Sequence, residues 1–109
     1  MRKRLVVLLA TAVASLSLAA GALAGGPQYI GASPGVYNST NVHYTNGWQW
    51  YQDVGSGHYN WYVFTSGGTL KASGSDYAYS GSWSGAYNYY YWKFYNASSA
   101  LMGFDVYWN

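Results

Sequence analysis

Aromatic and polar side chains alternate most densely over residues 86–95, where seven of ten residues are aromatic and Lys93 carries the only charge. Aromatic side chains suit a pleated strand better than a helix, so this segment between Gly85 and Asn96 predicts a strand. Alternate side chains then point to opposite faces. The face predicted for the core carries Tyr90, Trp92 and Phe94. The other face is a ladder of Tyr87, Tyr89, Tyr91, Lys93 and Tyr95, to be covered by a second layer or offered to a partner.

A second strong pattern covers residues 42–52. Residues 42–45 and 48–52 read as two strands, and the Asn46-Gly47 pair between them is typical of a type I′ hairpin turn. In such a hairpin Trp48 and Trp50 share one face of the second strand.

Further strands are predicted over residues 58–65, 69–73, 76–80 and 104–108. The first two form a hairpin that turns at Gly67-Gly68, and the connection over residues 96–103 has room for one short helical turn. In the last strand Phe104 and Val106 are predicted for the core. Short strands separated by glycine-containing turns predict an all-β fold: a small antiparallel β-sandwich or barrel whose strands are joined by hairpins.

The first 24 residues differ from the rest. A basic start, an apolar run and small residues at Ala22 and Ala24 predict a helical signal peptide cleaved near Ala24, with an uncleaved membrane anchor as the alternative. We therefore expect a secreted, extracellular protein with no stable membrane span after cleavage. Residues 25–41 are predicted as a loosely ordered arm or edge strand, and residues 42–109 as a single all-β domain.

Charge and composition restrict the partners of residues 25–109. This range contains two lysines, Lys71 and Lys93, three aspartates and no arginine, so its net charge is −1. Nucleic acid is therefore not an expected partner, because phosphate binding needs clustered positive charge. There is no cysteine either, so a domain this small must build its core from aromatic residues, and self-association would help it.

The inventory of reactive side chains predicts a protein that is not an enzyme. Residues 25–109 contain no Cys, Glu or Arg. A pair of aspartates could serve a glycosidase, but Asp53 and Asp76 occupy turn positions where Asp forms local hydrogen bonds. His43 and His58 lack the short spacing of metal ligands and are predicted to face outward, so we expect no metal and no cofactor.

The aromatic surplus has two functional interpretations beside a core role. Exposed rings could stack on sugars, with Asn, Gln and Asp bonding the hydroxyl groups. They could instead engage an envelope component or a membrane interface.

A resemblance to a known protein family favours binding to a cell-envelope component. Three segments, Gly47-Trp48-Gln49, Val54-Gly55-Ser56 and Tyr59-Asn60-Trp61-Tyr62, resemble the early part of lactococcin 972-like bacteriocins, and residues 81–86 and 106–108 are similar to its later segments. The resemblance covers about residues 47–109. It implies a cysteine-independent sandwich of two small antiparallel sheets, secreted to act on neighbouring bacteria through the cell-wall precursor lipid II at septa. The histidines that usually follow the Tyr cluster in that family are replaced here by residues 63–67.

The leading hypothesis is therefore a secreted, non-enzymatic antibacterial protein that binds a cell-envelope component, either lipid II or wall glycan. Its predicted contact residues are Trp48, Trp50, Tyr59, Trp61 and Tyr62. The alternatives are a carbohydrate- or cell-wall-binding module without toxicity, and an aromatic-rich surface protein that assembles through strand edges, with residues 89–94 as its cross-β segment and Lys93 as gatekeeper.

Overall fold

The computed structural model describes residues 25–109, and in that range it contains seven strands and no helix. The predicted signal peptide, residues 1–24, lies outside the described residues. The strands are β1 (Gly25–Ala32), β2 (Tyr37–Ser39), β3 (His43–Val54), β4 (Tyr59–Thr65), β5 (Leu70–Asp76), β6 (Ser80–Asn96) and β7 (Met102–Trp108).

All seven strands belong to one antiparallel sheet with the order β1-β7-β3-β6-β4-β5, and β2 pairs with β6 beside this path. The all-β prediction is confirmed. The barrel alternative is wrong, because β1 and β5 remain as two unpaired edges. The implied pair of separate sheets is also replaced by one continuous sheet, since β6 runs through both halves of the molecule.

The length of β6 explains how one sheet makes two layers. A strand of 17 residues would extend about 55 Å at the usual rise, whereas the longest dimension of the molecule is 33 Å. The strand must therefore bend. Its first part pairs with β3, and its last part pairs with β4 and β2. We call β1, β7, β3 and the start of β6 the first half of the sheet, and the end of β6 with β4, β5 and β2 the second half.

The strand β6 contains a bulge that accounts for this bend. While β3 advances from Thr45 to Gly47, its partner on β6 changes from Asn88 to Ser84, so β6 carries the extra residues. The inward positions shift accordingly, from Trp83 before the bulge to Tyr90 after it, and these two rings meet edge to face at 5.0 Å. The bulge thus allows one strand to supply core residues to both halves.

The hairpin predicted at Asn46-Gly47 is wrong, because His43–Val54 is one strand. A type I′ turn needs positive φ at both central residues, and Gly47 is not among the glycines with positive φ. The Thr45 hydroxyl instead bonds to the Gly47 carbonyl oxygen and accepts the Gly47 and Asn109 amides, at 2.9, 3.1 and 3.0 Å. The side-chain Nδ2 of Asn109 also donates a hydrogen bond to Asn46 Oδ1, so Asn109 packs against the irregularity where a turn was predicted.

Of the remaining local predictions, one is confirmed and the others are wrong. The hairpin around Gly67-Gly68 is present, as β4 and β5. Residues 77–79, predicted as part of a strand, connect β5 to β6, and β6 begins at Ser80, before the predicted aromatic strand. The connection after β6 holds no helical turn. The buried Asn96 side chain organises it by accepting hydrogen bonds from the Ser98 amide and hydroxyl.

The core lies between the two halves of the sheet. All five residues predicted for it are at most 2% exposed: Tyr90, Trp92, Phe94, Phe104 and Val106. Phe104 of the first half contacts Trp92 and Phe94 of the second half, with ring centroids 5.3 and 4.8 Å apart. These edge-to-face contacts join the layers without any disulfide.

Several tryptophans lie flat against a glycine on the neighbouring strand. Trp50 is directly opposite Gly81, and a Cβ added to Gly81 would lie 2.5 Å from the indole. The same arrangement places Trp61 over Gly74 and Trp108 over Gly25. Glycine inside a strand normally weakens it, but a covering ring recovers buried area and protects the backbone hydrogen bonds.

This arrangement predicts the cost of a single methyl group. Gly81→Ala forces the Trp50 indole out of its position, so we expect the free energy of unfolding to fall by about 1–3 kcal/mol in urea titrations followed by tryptophan fluorescence. Gly67→Ala is the matched control, because its Cβ would meet only Thr65 Oγ1 at 3.9 Å. Equal stability of the two variants would contradict the role given to glycine.

Candidate ligand-binding face

Three of the five predicted contact residues lie inside the core. Trp48 and Tyr59 are fully buried and Trp50 is 2% exposed. The reason is strand alternation: the inner face of β3 carries both tryptophans, and the inner face of β4 carries Tyr59. These three residues therefore offer no surface to a partner, and the predicted contact set requires correction.

Tyr59 is instead a polar tie within the core. Its hydroxyl accepts a hydrogen bond from Trp50 Nε1 at 3.2 Å and donates one to the Ala78 carbonyl oxygen at 2.8 Å. Burial raises the pKa of Tyr59 to about 12, although the bond from Trp50 opposes this shift. The phenol thus stays neutral and fastens the connection between β5 and β6 to the core.

The other two predicted contact residues separate across β4. Trp61 is half-buried and packs against the core, with its ring 4.8 Å from that of Trp50. Tyr62 is half-buried too, but it points to the outer face of the second half of the sheet. Only Tyr62 therefore belongs to an outward-facing group of aromatic rings.

That group is an aromatic face built on three adjacent strands. In register, Tyr62 is opposite Lys93 and Phe64 is opposite Tyr91 across β4 and β6, while β2 sets Tyr37 beside Tyr95. We call this surface the tyrosine–lysine face; it consists of Tyr37, Tyr62, Phe64, Tyr91, Lys93 and Tyr95.

The rings of this face contact one another in a continuous series. Tyr37 lies 4.7 Å from Tyr95 and 6.1 Å from Tyr62, measured between ring centroids. Phe64 continues the series with Tyr62 at 6.1 Å and Tyr91 at 5.3 Å, both stacked. Tyr37 is 52% exposed and the other rings are half-buried, so the face is ordered by its own contacts and still reachable from solvent.

Lys93 stands among these rings. Its Nζ lies 4.7 Å from the centroid of Tyr37 and 5.7 Å from that of Phe64, within the range of cation–π attraction. Among the described residues, the side-chain contacts of Lys93 are with rings and not with a carboxylate. The face therefore presents a positive charge without an internal counter-ion.

Polar side chains border the face. Ser39 is opposite Lys93 on β2, Ser73 is opposite Tyr62 on β5, and Asn60 is opposite Tyr95 on β4. Burial and a hydrogen bond with Tyr37 raise the pKa of Tyr62, so its phenol remains a neutral hydrogen-bonding group. Flat rings with hydroxyl and amide groups at their margin match the two sides of a sugar, which is apolar on its faces and polar at its edges.

A second exposed cluster, of three tyrosines, lies closer to the start of β6. Tyr44 of β3 stacks on Tyr87 at 5.4 Å and meets Tyr89 at 5.0 Å, and each of the three is more than half exposed. The outer ladder predicted on β6 is thus shared between two surroundings. Tyr87 and Tyr89 join Tyr44 near the bulge, while Tyr91 and Tyr95 join the tyrosine–lysine face.

Two of the reactive groups considered for catalysis or metal binding, Asp76 and His58, are held by local hydrogen bonds. Asp76 accepts the backbone amides of Tyr77 and Ala78 at 2.8 and 3.0 Å, and His58 bonds to Ser75 Oγ. Within residues 25–109, no three His, Cys, Asp or Glu side chains lie close enough to hold a metal ion. The same part of the chain contains no helix that is long and apolar enough to cross a membrane.

Sequence reasoning missed two of the six residues of the tyrosine–lysine face, Tyr37 and Phe64. The alternation of side chains along β6 does place Tyr91 and Tyr95 on the same face as Lys93, and this pattern can be read from the sequence. The contributions of Tyr37 and Phe64 depend on which strands flank β6. That information comes from long-range register and is not encoded in local pattern.

Comparisons of the chain with protein-family models, with curated proteins and with solved structures return no match. The resemblance to lactococcin 972-like bacteriocins therefore stays a prediction.

His43 differs from its expected outward orientation. Its ring stacks on Trp108 with centroids 3.7 Å apart and 11° between planes, and it also contacts Trp48. His43 Nε2 is buried and has no hydrogen-bond partner within the described residues. Burial lowers the pKa of His43, because the charged imidazolium is less well solvated there.

This site predicts acid sensitivity. In the unfolded chain His43 takes up a proton with its ordinary pKa near 6.5, whereas the folded protein resists protonation, so stability should decline as pH falls below about 6.5 and level off below the folded pKa. Urea midpoints between pH 8 and pH 4 measure the effect. His43→Phe keeps a ring on Trp108 and should flatten the profile, whereas an unchanged profile in that variant would assign the sensitivity to another group.

Proposed function

We propose that residues 25–109 form a secreted, non-enzymatic protein that acts on the cell envelope of neighbouring bacteria by binding a wall glycan or its lipid-linked precursor. The observation that carries this proposal is the tyrosine–lysine face, an accessible set of five contacting rings with a central cation and a polar margin. Sugar rings stack on such surfaces without needing a deep pocket.

The shape of the face supports binding to an extended surface. Its residues come from β2, β4 and β6, which are fixed side by side by backbone pairing, so little conformational entropy is lost when a ligand docks. Contacts between rings restrict the side chains further. A pre-organised, shallow face fits a polymer chain better than a small molecule that must be enclosed.

The bacteriocin part of the proposal rests on the sequence resemblance alone. The segments that carry it contribute Trp48, Tyr59 and Val106 to the core. The resemblance therefore supports a shared scaffold more than a shared ligand-binding surface. Lipid II is accordingly one of two targets to test, beside wall glycan.

Self-assembly through residues 89–94 has less support. This segment lies in β6, which is paired with β4 on one side and with β3 and β2 on the other. Its backbone is therefore not an open edge, and cross-β stacking would first require β6 to lose its partners.

The glycan-binding proposal predicts which tyrosine matters. Tyr37→Ala removes the most exposed ring of the tyrosine–lysine face, so we expect retention of the purified protein on insoluble peptidoglycan to fall about tenfold or more. Tyr79→Ala is the control: it removes a 66% exposed ring that contacts Tyr51 of the first half of the sheet. An equal loss of retention in both variants, or no loss in either, would show that binding does not depend on the tyrosine–lysine face.

The antibacterial proposal makes a separate prediction. Purified residues 25–109, added to growing Gram-positive bacteria, should inhibit growth and alter septum shape, and Tyr37→Ala should be less potent because it binds less. Growth assays, microscopy and binding to lipid II in vesicles measure these effects. A protein that binds peptidoglycan but inhibits no strain in a broad panel would be a wall-binding module and not a bacteriocin.

A further inference from the structure

We propose that the glycan recognised by the tyrosine–lysine face carries a negative charge, and that Lys93 is the residue that selects it. This inference rests on the proposed function and specifies its ligand class: a sugar polymer with carboxylate or phosphate groups, bound with one such group above Lys93 Nζ.

The first argument is the scarcity of positive charge. Residues 25–109 contain two lysines, no arginine and a net charge of −1. Lys71 is exposed on the edge strand β5, whereas Lys93 is half-buried on the central strand β6. Attraction of an anion by this domain therefore depends on the position of individual lysines and not on a general positive field.

The second argument is the setting of Lys93. Its ammonium lies over Tyr37 and near Phe64, and its side-chain contacts within the described residues include no carboxylate. Cation–π contact does not use the N–H donors of the ammonium group. The group thus retains hydrogen-bonding capacity that an incoming anion can use.

The third argument compares two ligands on the same face. A neutral polymer that covers the rings also covers Lys93, which removes water from the ammonium and returns no charge of opposite sign. An anionic polymer makes the same ring contacts and forms a charge-assisted hydrogen bond with Nζ. The lysine therefore penalises neutral glycans and favours charged ones, which is selection by difference.

A single lysine binds one anionic group at a time. Its ammonium is a compact point charge without the fork that holds two phosphate oxygens at once. With one such group on the face, one carboxylate or phosphate of the polymer contacts the protein, and the neighbouring anionic groups stay in solvent.

Polygalacturonate and its fully methyl-esterified form give the sharpest test, because they share a sugar backbone and differ in charge. We expect the protein to bind the free acid about tenfold more tightly than the ester in low salt, and to lose this preference at high salt. Lys93→Gln should bring binding of the acid down to that of the ester, and Lys93→Arg should keep the preference. Lys71→Gln removes an equal charge from β5 and should leave it unchanged.

A wall teichoic acid, which carries phosphate, forms the second arm and separates the two anion sources. Preference for the teichoic acid that is lost in Lys93→Gln supports phosphate as the anion, and preference for polygalacturonate supports carboxylate. Equal binding of charged and neutral polymers, unchanged in Lys93→Gln, would overturn the inference and leave the proposed function intact. Failure to bind any of these polymers or peptidoglycan would overturn both.

Discussion

The fold depends on indole rings that lie against bare backbone. Trp50 covers Gly81 between β3 and β6, Trp61 covers Gly74 between β4 and β5, and Trp108 covers Gly25 between β7 and β1. These pairs include both edge strands, β1 and β5, so indole–glycine packing extends from one edge of the open sheet to the other. A Cβ at any of these glycines would occupy the space of the ring. Tryptophan and glycine therefore form one structural unit here, and neither residue's role can be judged without the other.

This packing places the two kinds of aromatic side chain differently. All six tryptophans lie in the core or pack against it, whereas the aromatic residues that are mostly exposed are all tyrosines. A large core formed by indoles supplies the burial that a small chain without disulfides needs. The phenols are then free for the outer surfaces, where a ring and a hydroxyl serve together. The tyrosine–lysine face follows from this division, because the same β6 that sends Trp92 and Phe94 inward must send Tyr91, Lys93 and Tyr95 outward.

Local pattern predicted the alternation of β6 but not the meaning of the glycines. Strand class, the hairpin at Gly67-Gly68 and the inward residues around Trp92 follow from period-two alternation and ordinary turn chemistry. Gly81 and Gly85 have serine neighbours, a composition typical of turns. In the folded chain both instead lie inside β6, and Gly81 packs beneath Trp50 of β3, a contact that only long-range register determines. The hairpin prediction at Asn46-Gly47 is wrong for the same reason: a turn there would separate the two parts of β3, whereas both parts pair with β6 on either side of the bulge.

The separation of core and face also bears on how function relates to sequence resemblance. The segments similar to bacteriocins supply Trp48, Tyr59 and Val106, which hold the two halves of the sheet together. The tyrosine–lysine face draws mainly on β2 and the end of β6, outside those segments, and shares only Tyr62 with them. Substitutions on the outer face can change the ligand without disturbing the tryptophan–glycine pairs, because alternate residues of one strand belong to different environments. The binding specificity that we propose is therefore assigned to Lys93 and the rings around it, and not to the scaffold beneath them.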